Sequence, residues 1–153
     1  MKAHLSRRYR ISASHRLHSP AFTGEENQSI YGKCNNPYGH GHNYVIQVTV
    51  SGPVDEVTGM VCDLASLDRS VQAKVIDRFD HTNLNECFFD KVPTTENLCI
   101  AIYHLLAEDL QDHVSPGQVI LGQVILERVR VEETANNFFE YSGKGEHGSS
   151  SNR

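Results

Sequence analysis

The sequence predicts an α+β fold: an antiparallel four-stranded sheet in the order β-β-α-α-β-β, with two helices on one face. Two observations carry this. Apolar residues alternate with period two near both ends of the chain, over 3–15, 42–51 and 119–133, and a short last strand is expected over 137–142. Between those runs the period changes to three and four, over 64–78 and 95–111.

The elements follow in order. Leu5, Tyr9, Ile11 and Ala13 share one face of the first strand, against Ser6, Arg8, Arg10 and Ser12; only Arg7 breaks the alternation. His15 continues the apolar face. Residues 16–39, rich in Gly, Asn, Ser and Pro, read as a long loop, a length that usually signals function or disorder. Tyr44, Ile46, Val48 and Val50 then mark the second strand, with His42 on their face. Leu64, Leu67, Val71 and Val75 recur at helical spacing behind Asp63, a predicted N-cap. The second helix carries Leu98, Ile102, Leu105, Leu106 and Leu110, with Thr94 or Thr95 as cap and Glu108 and Asp109 expected in water. The third strand places Val119, Leu121, Ile125, Val129 and Val131 on one face, ended by Glu133. The turn-like Ala135-Asn136 leads to the last strand.

With 153 residues, the chain suits one domain, expected over 1–142, followed by a flexible tail, 143–153, without large apolar side chains. Fourteen basic and nineteen acidic residues give a net charge of −5, which argues against nucleic-acid binding by bulk positive charge. No apolar run approaches the ~18–20 residues that span a bilayer, and the first residues lack the apolar stretch of a secretory signal. A cytoplasmic protein is the expectation. Cys34, Cys62, Cys87 and Cys99 form no closely spaced pair and read as free thiols.

Four segments carry chemistry. In GKCNNPYGHGHNY (32–44), His40 and His42 are two apart, so on a strand both imidazoles point the same way. His15 faces inward on another strand. Three histidines on one sheet face make a zinc site with an open fourth position, the catalytic arrangement; the bland alternative is three unrelated core or surface histidines. Cys34 reads as a ligand, a small buried side chain, or a nucleophile or base. In DRFDHTNLN (77–85), Asp80 could orient the His81 imidazole, or the pair is a polar turn. Glu133 on an apolar face needs a partner, such as a ligand with adjacent N–H donors, unless the strand frays and turns it to solvent. PTTENL (93–98) is a helix cap whose free N–H groups could also hold a polar ligand.

Taken together, SASHRLHS (12–19), GKCNNPYGHGHNY, TGMVCDL (58–64), DHTNLN (80–85), PTTENL and VEETANN (131–137) resemble the 6-pyruvoyl tetrahydropterin synthase family. The resemblance implies the T-fold, with the sheet closing into a barrel in a homohexamer of two stacked trimers. It implies one Zn2+ per subunit on His15, His40 and His42. It makes Cys34 the base, assisted by Asp80 and His81 from a neighbouring subunit. It makes Glu133 the anchor of the pterin ring, with Thr94, Thr95 and Glu96 beside the same pocket. The implied reaction converts 7,8-dihydroneopterin triphosphate to 6-pyruvoyl tetrahydropterin and triphosphate, a step towards tetrahydrobiopterin, with Mg2+ on the triphosphate.

Two alternatives accompany that reading. The sister enzyme, 6-carboxytetrahydropterin synthase of queuosine biosynthesis, shares the implied fold, histidines and substrate, but its cysteine lies closer to the HGH than Cys34 does here. A non-catalytic zinc-binding protein would use the histidines for stability alone. The chain departs from the family pattern at Ile11, at Glu86-Cys87-Phe88-Phe89-Asp90 and at Ala135. These departures bear on product identity more than on zinc.

Overall fold

The alternation at the start of the chain becomes β1 (Lys2–His15). The computed structural model describes residues 1–88, 90–112 and 124–143. Helix α1 (Gly24–Tyr31) follows, inside the segment expected to be loop. Its start is polar: Glu26 N–H donates to Thr23 Oγ1 (3.2 Å) and Thr23 N–H to Glu26 Oε2 (2.8 Å), a reciprocal capping box. The helix buries only Asn27 and has no apolar stripe, so periodicity could not reveal it. One 3₁₀ turn, Gly32–Asn35, leads on to β2 (His40–Pro53).

β1 and β2 pair antiparallel over their whole length, from Lys2↔Pro53 to His15↔His40. Ile11, Ala13, Tyr44, Ile46, Val48 and Val50 thereby form one buried floor. Helix α2 (Leu64–Val71) starts where Asp63 accepts from the Ala65 and Ser66 N–H groups, runs through a π-helical turn, Gln72–Ile76, and ends in the short α3 (Asp77–Phe79). A two-residue strand, β3 (Thr82–Asn83), a turn of helix, α4 (Leu84–Cys87), and the long α5 (Thr95–Asp112) complete the middle of the chain. Thr94 caps α5, its Oγ1 accepting from Asn97 N–H at 3.2 Å. Leu67, Val71, Val75 and Phe79, with Leu98, Ile102, Leu106 and Leu110, close over the floor, so both long helical segments cover one face of the sheet. Asp109, expected in water, is only 12% exposed; it accepts from the Ser70 hydroxyl and lies 3.7 Å from Lys74 Nζ.

Strands β4 (Ile125–Thr134) and β5 (Asn137–Tyr141) finish the sheet in the order β3-β1-β2-β4-β5. The expected sheet of four antiparallel strands is corrected to a mixed sheet of five, because β3 runs parallel to β1 through Ala13↔Thr82 and Ser14↔Asn83. Two residues carry no periodicity, which is why β3 is invisible in the sequence. Val119 and Leu121, and the tail beyond Gly143, lie outside the described residues. Ile125 is 56% exposed instead of facing the core. Arg128 pairs with Thr49 while Leu126 pairs with Val50, leaving Glu127 as an extra residue. This bulge gives Leu126 the inward position and leaves Val129, Val131 and Glu133 on theirs. Among the described residues no helix is long and apolar enough to cross a membrane.

Candidate active site

The register of β1 and β2 sets His15 opposite His40 and Ala13 opposite His42. Strand parity turns all three imidazoles to the helix-covered side. Their ring centroids are 4.6, 4.8 and 5.1 Å apart, and one ring nitrogen from each lies within 4.8 Å of the others. Gly39 makes this approach feasible: its φ is +72°, and a Cβ there would meet the His15 carbonyl oxygen at 2.9 Å.

The protonation pattern follows from the partners. His15 Nδ1 is 2.7 Å from the Pro93 carbonyl, which can only accept, so Nδ1 carries the proton and Nε2 presents its lone pair. That Nε2 lies 3.0 Å from His40 Nε2. Among the described residues His42 Nε2, which is buried, has no hydrogen-bond partner. Burial pushes the pKa of both His15 and His42 below the ordinary histidine value, keeping the rings neutral. The neutral His15 and His42 rings, the first oriented from behind by a carbonyl, together with the nearby His40 ring nitrogen make a donor set that suits a divalent metal. The triad can hold a metal ion.

Glu133 joins this group from β4. Its Oε1 lies 3.5 Å from His42 Nε2 and 3.9 Å from His15 Nε2. The buried Thr95 hydroxyl donates to Oε1 at 2.8 Å, and Asn137 Nδ2 donates to Oε2 at 3.0 Å. Burial opposes ionisation of Glu133, but the Thr95 and Asn137 donors hold its carboxyl below the ordinary value. Each oxygen keeps a lone pair free for a further N–H.

The other candidate residues are placed differently. Cys34 sits half-buried in the 3₁₀ turn, its carbonyl accepting from Leu17 N–H at 2.8 Å, and it is not one of the converging ligands. Asp80 Oδ1 accepts from Ser12 N–H (2.8 Å), and His81 N–H donates to the Ser12 carbonyl (2.7 Å). The His81 side chain is 83% exposed and 3.5 Å from Asp80 Oδ2. It borders an open depression of about 470 Å³ with Ser12, Ser14 and Asn43, which occupy positions on the uncovered sheet face. His81 adopts a φ of 57°, a left-handed conformation uncommon outside glycine. Thr94 caps α5, and Glu96 is exposed on its first turn. The Pro93 carbonyl and Asn137 carry no signal in the sequence that would mark them as site residues. Tyr44 is fully buried, with its hydroxyl 3.5 Å from His15 Nδ1.

A carboxylate held ready beside three converging imidazoles places the chain among small enzymes able to hold a metal ion next to a polar substrate. The family described as 6-pyruvoyl tetrahydropterin synthase matches residues 4–144, and the chain belongs to it. It is 42% identical over 146 residues to 6-pyruvoyl tetrahydrobiopterin synthase of Homo sapiens, covering 94% of this chain and 93% of that protein. Its counterpart in Drosophila melanogaster is 39% identical over 144 residues, covering 92% of this chain and 80% of that protein. The solved structure of Caenorhabditis elegans 6-pyruvoyl tetrahydropterin synthase superposes with a TM-score of 0.82 at 39% identity, over 94% of this chain and 97% of that one.

Proposed function

We propose that this chain is a zinc-dependent 6-pyruvoyl tetrahydropterin synthase, taking 7,8-dihydroneopterin triphosphate to 6-pyruvoyl tetrahydropterin with release of triphosphate. The observation that carries the reading is the buried His42 Nε2, without a hydrogen bond among the described residues, close to the ring nitrogens of His15 and His40, with Glu133 beside them. When bound, the zinc supplies Lewis acidity towards the hydroxyls of the substrate side chain.

The chain's own residues do the rest. Glu133, fixed by Thr95 and Asn137, accepts adjacent N–H groups of the pterin ring and so sets the side chain against the histidines. Thr94 and Thr95 shape the floor of that pocket from the start of α5, and Glu96 borders it. Cys34 acts as the base, removing a proton from the side-chain carbon that bears a hydroxyl; the thiolate is the competent form. Asp80 and His81 assist it from a neighbouring subunit. The exposure of the His81 side chain, 83%, supports that sharing. The assembly is a homohexamer of two stacked trimers, whose barrel closure pairs the edges that β5 and β3 leave open. Mg2+ accompanies the triphosphate, and the enzyme works in the cytoplasm.

One assay tests the function. Purified protein is incubated with 7,8-dihydroneopterin triphosphate, and triphosphate release and product mass are both measured. The reading expects triphosphate together with the mass of 6-pyruvoyl tetrahydropterin. Absence of turnover in zinc-loaded protein overturns it, and the mass of 6-carboxytetrahydropterin replaces it with the sister reaction.

A further inference from the structure

Beyond His15 the chain leaves the sheet, yet its next residues are held as tightly as a strand. Asn85 grips Arg16 from one side, Oδ1 accepting from its N–H at 2.7 Å and Nδ2 donating to its carbonyl at 2.8 Å. This carboxamide stands in for one more rung of the β1–β3 pairing, which ends at Ser14↔Asn83. Leu17 is gripped from the other side. Its N–H donates to the Cys34 carbonyl at 2.8 Å, and its own carbonyl accepts from Asn35 Nδ2 at 2.8 Å. Asn35 Nδ2 also donates to His18 Nδ1 at 3.0 Å, while the Asn35 carbonyl accepts from Arg16 Nε at 3.0 Å.

Asn35 is 5% exposed, and among the described residues the partners of its side chain lie in the residues that follow His15. The Cys34–Asn35 turn therefore has its place set relative to the histidine strand rather than by a core of its own. Cys34 adds only a backbone carbonyl to this junction, which leaves its thiol unconstrained by the contact itself. The Asn35 carboxamide is the side-chain bolt.

We infer that Asn35 is a positioning residue, fixing the Cys34 turn against the strand that carries His15. The inference rests on the proposed role of Cys34 for its kinetic consequence, and on geometry alone for its structural one. A displacement of about 1 Å in a catalytic group can cost about 10²-fold in rate. A buried carboxamide that gives up a bond to a carbonyl also leaves that carbonyl unpaired.

The experiment compares wild type with Asn35→Ala and Asn35→Asp. The aspartate keeps the volume but places an acceptor where the Leu17 carbonyl needs a donor. Four readouts are taken on zinc-loaded, folded protein: metal content, melting temperature, kcat and KM, and the rate of Cys34 alkylation by iodoacetamide, read by peptide mass with Cys87 as internal reference. The expected result is one equivalent of metal, KM within about threefold, kcat down about 10- to 100-fold, and a Cys34-to-Cys87 alkylation ratio changed at least threefold. A lowered melting temperature with unchanged kcat and unchanged ratio overturns the inference, because Asn35 would then only support the fold. Should Asn35→Ala fail to fold, the ratio and kcat in Asn35→Asp decide. Cys34→Ala runs alongside: if that variant turns over normally, the base assignment fails, and the alkylation ratio alone then decides for or against Asn35.

Discussion

Two polar clusters share the inward face of β1, and they are finished differently. Near the start of the strand, Arg7 donates from Nε and Nη2 to the two oxygens of Asp68 at 2.7 and 2.9 Å, and the Tyr9 hydroxyl donates to Asp68 Oδ1 at 2.7 Å. All three partners are closed on one another, and they tie β1 to α2. At the end of the strand, ring nitrogens of His15, His40 and His42 converge, and among the described residues His42 Nε2 has no hydrogen-bond partner. A buried nitrogen left without a hydrogen bond among converging histidines suits completion by a metal ion from outside the chain.

The largest effect that tests this contrast is loss of the metal. Replacing His42 with Ala is expected to leave less than about a tenth of an equivalent of zinc by elemental analysis, and to cut activity by about 10³-fold or more. Far-UV circular dichroism should stay native, because the sheet does not rest on that ring. Full zinc retention in the variant would break the comparison at its open end.

Next comes Cys34→Ala, expected to lower kcat by about 10²–10⁴-fold, the usual contribution of a positioned acid–base group. Pterin binding, followed by fluorescence titration, should persist. Glu133→Gln is expected to act on affinity instead. The amide presents a donor where the ring also presents one, a mismatch costing about 1–3 kcal/mol, or about 5- to 150-fold in Kd. Unaltered affinity would remove Glu133 from the pocket.

The smallest effect belongs to the closed cluster. Asp68→Asn should lower the melting temperature by about 2–4 °C, since the group is partly solvent-screened, and leave kcat per folded protein unchanged. The Arg7 hydrogen bonds hold the Asp68 carboxyl below its ordinary value of 3.8. Its contribution to stability is therefore complete above that ordinary value and is lost as the pH falls below it through the lowered folded value. Calorimetric melts between pH 3 and 7 should show an acid-side loss that is smaller in Asp68→Asn.

The closed and open clusters also differ in how plainly the sequence announces them. Histidines two apart on a strand, with His15 in phase on its neighbour, are legible because parity fixes their side. Asp63 as a cap and the stripe from Leu98 to Leu110 are legible for the same reason. Arg7 looked like a flaw in the alternation until Asp68 arrived from α2, a contact with no local signal. The Pro93 carbonyl that orients His15 is backbone, and backbone partners leave no residue-type signature. α1 escaped because a capping box without an apolar stripe resembles a polar loop. Ile125 was misplaced because one extra residue, Glu127, inverts the parity on its N-terminal side.

That bulge decides where β4 can change length. Removing Glu127 would join Leu126 and Arg128 as ordinary neighbours, with both still paired to Val50 and Thr49 on their present sides. Removing a residue between Arg128 and Glu133 would instead invert one side of the cut, sending either Glu133 or Val129 to the wrong face of the sheet. Insertions and deletions among natural versions of this strand should therefore gather at position 127. The stretch from there to Glu133 should keep a constant count, a ruler measuring the distance from the kink in the strand to the carboxylate.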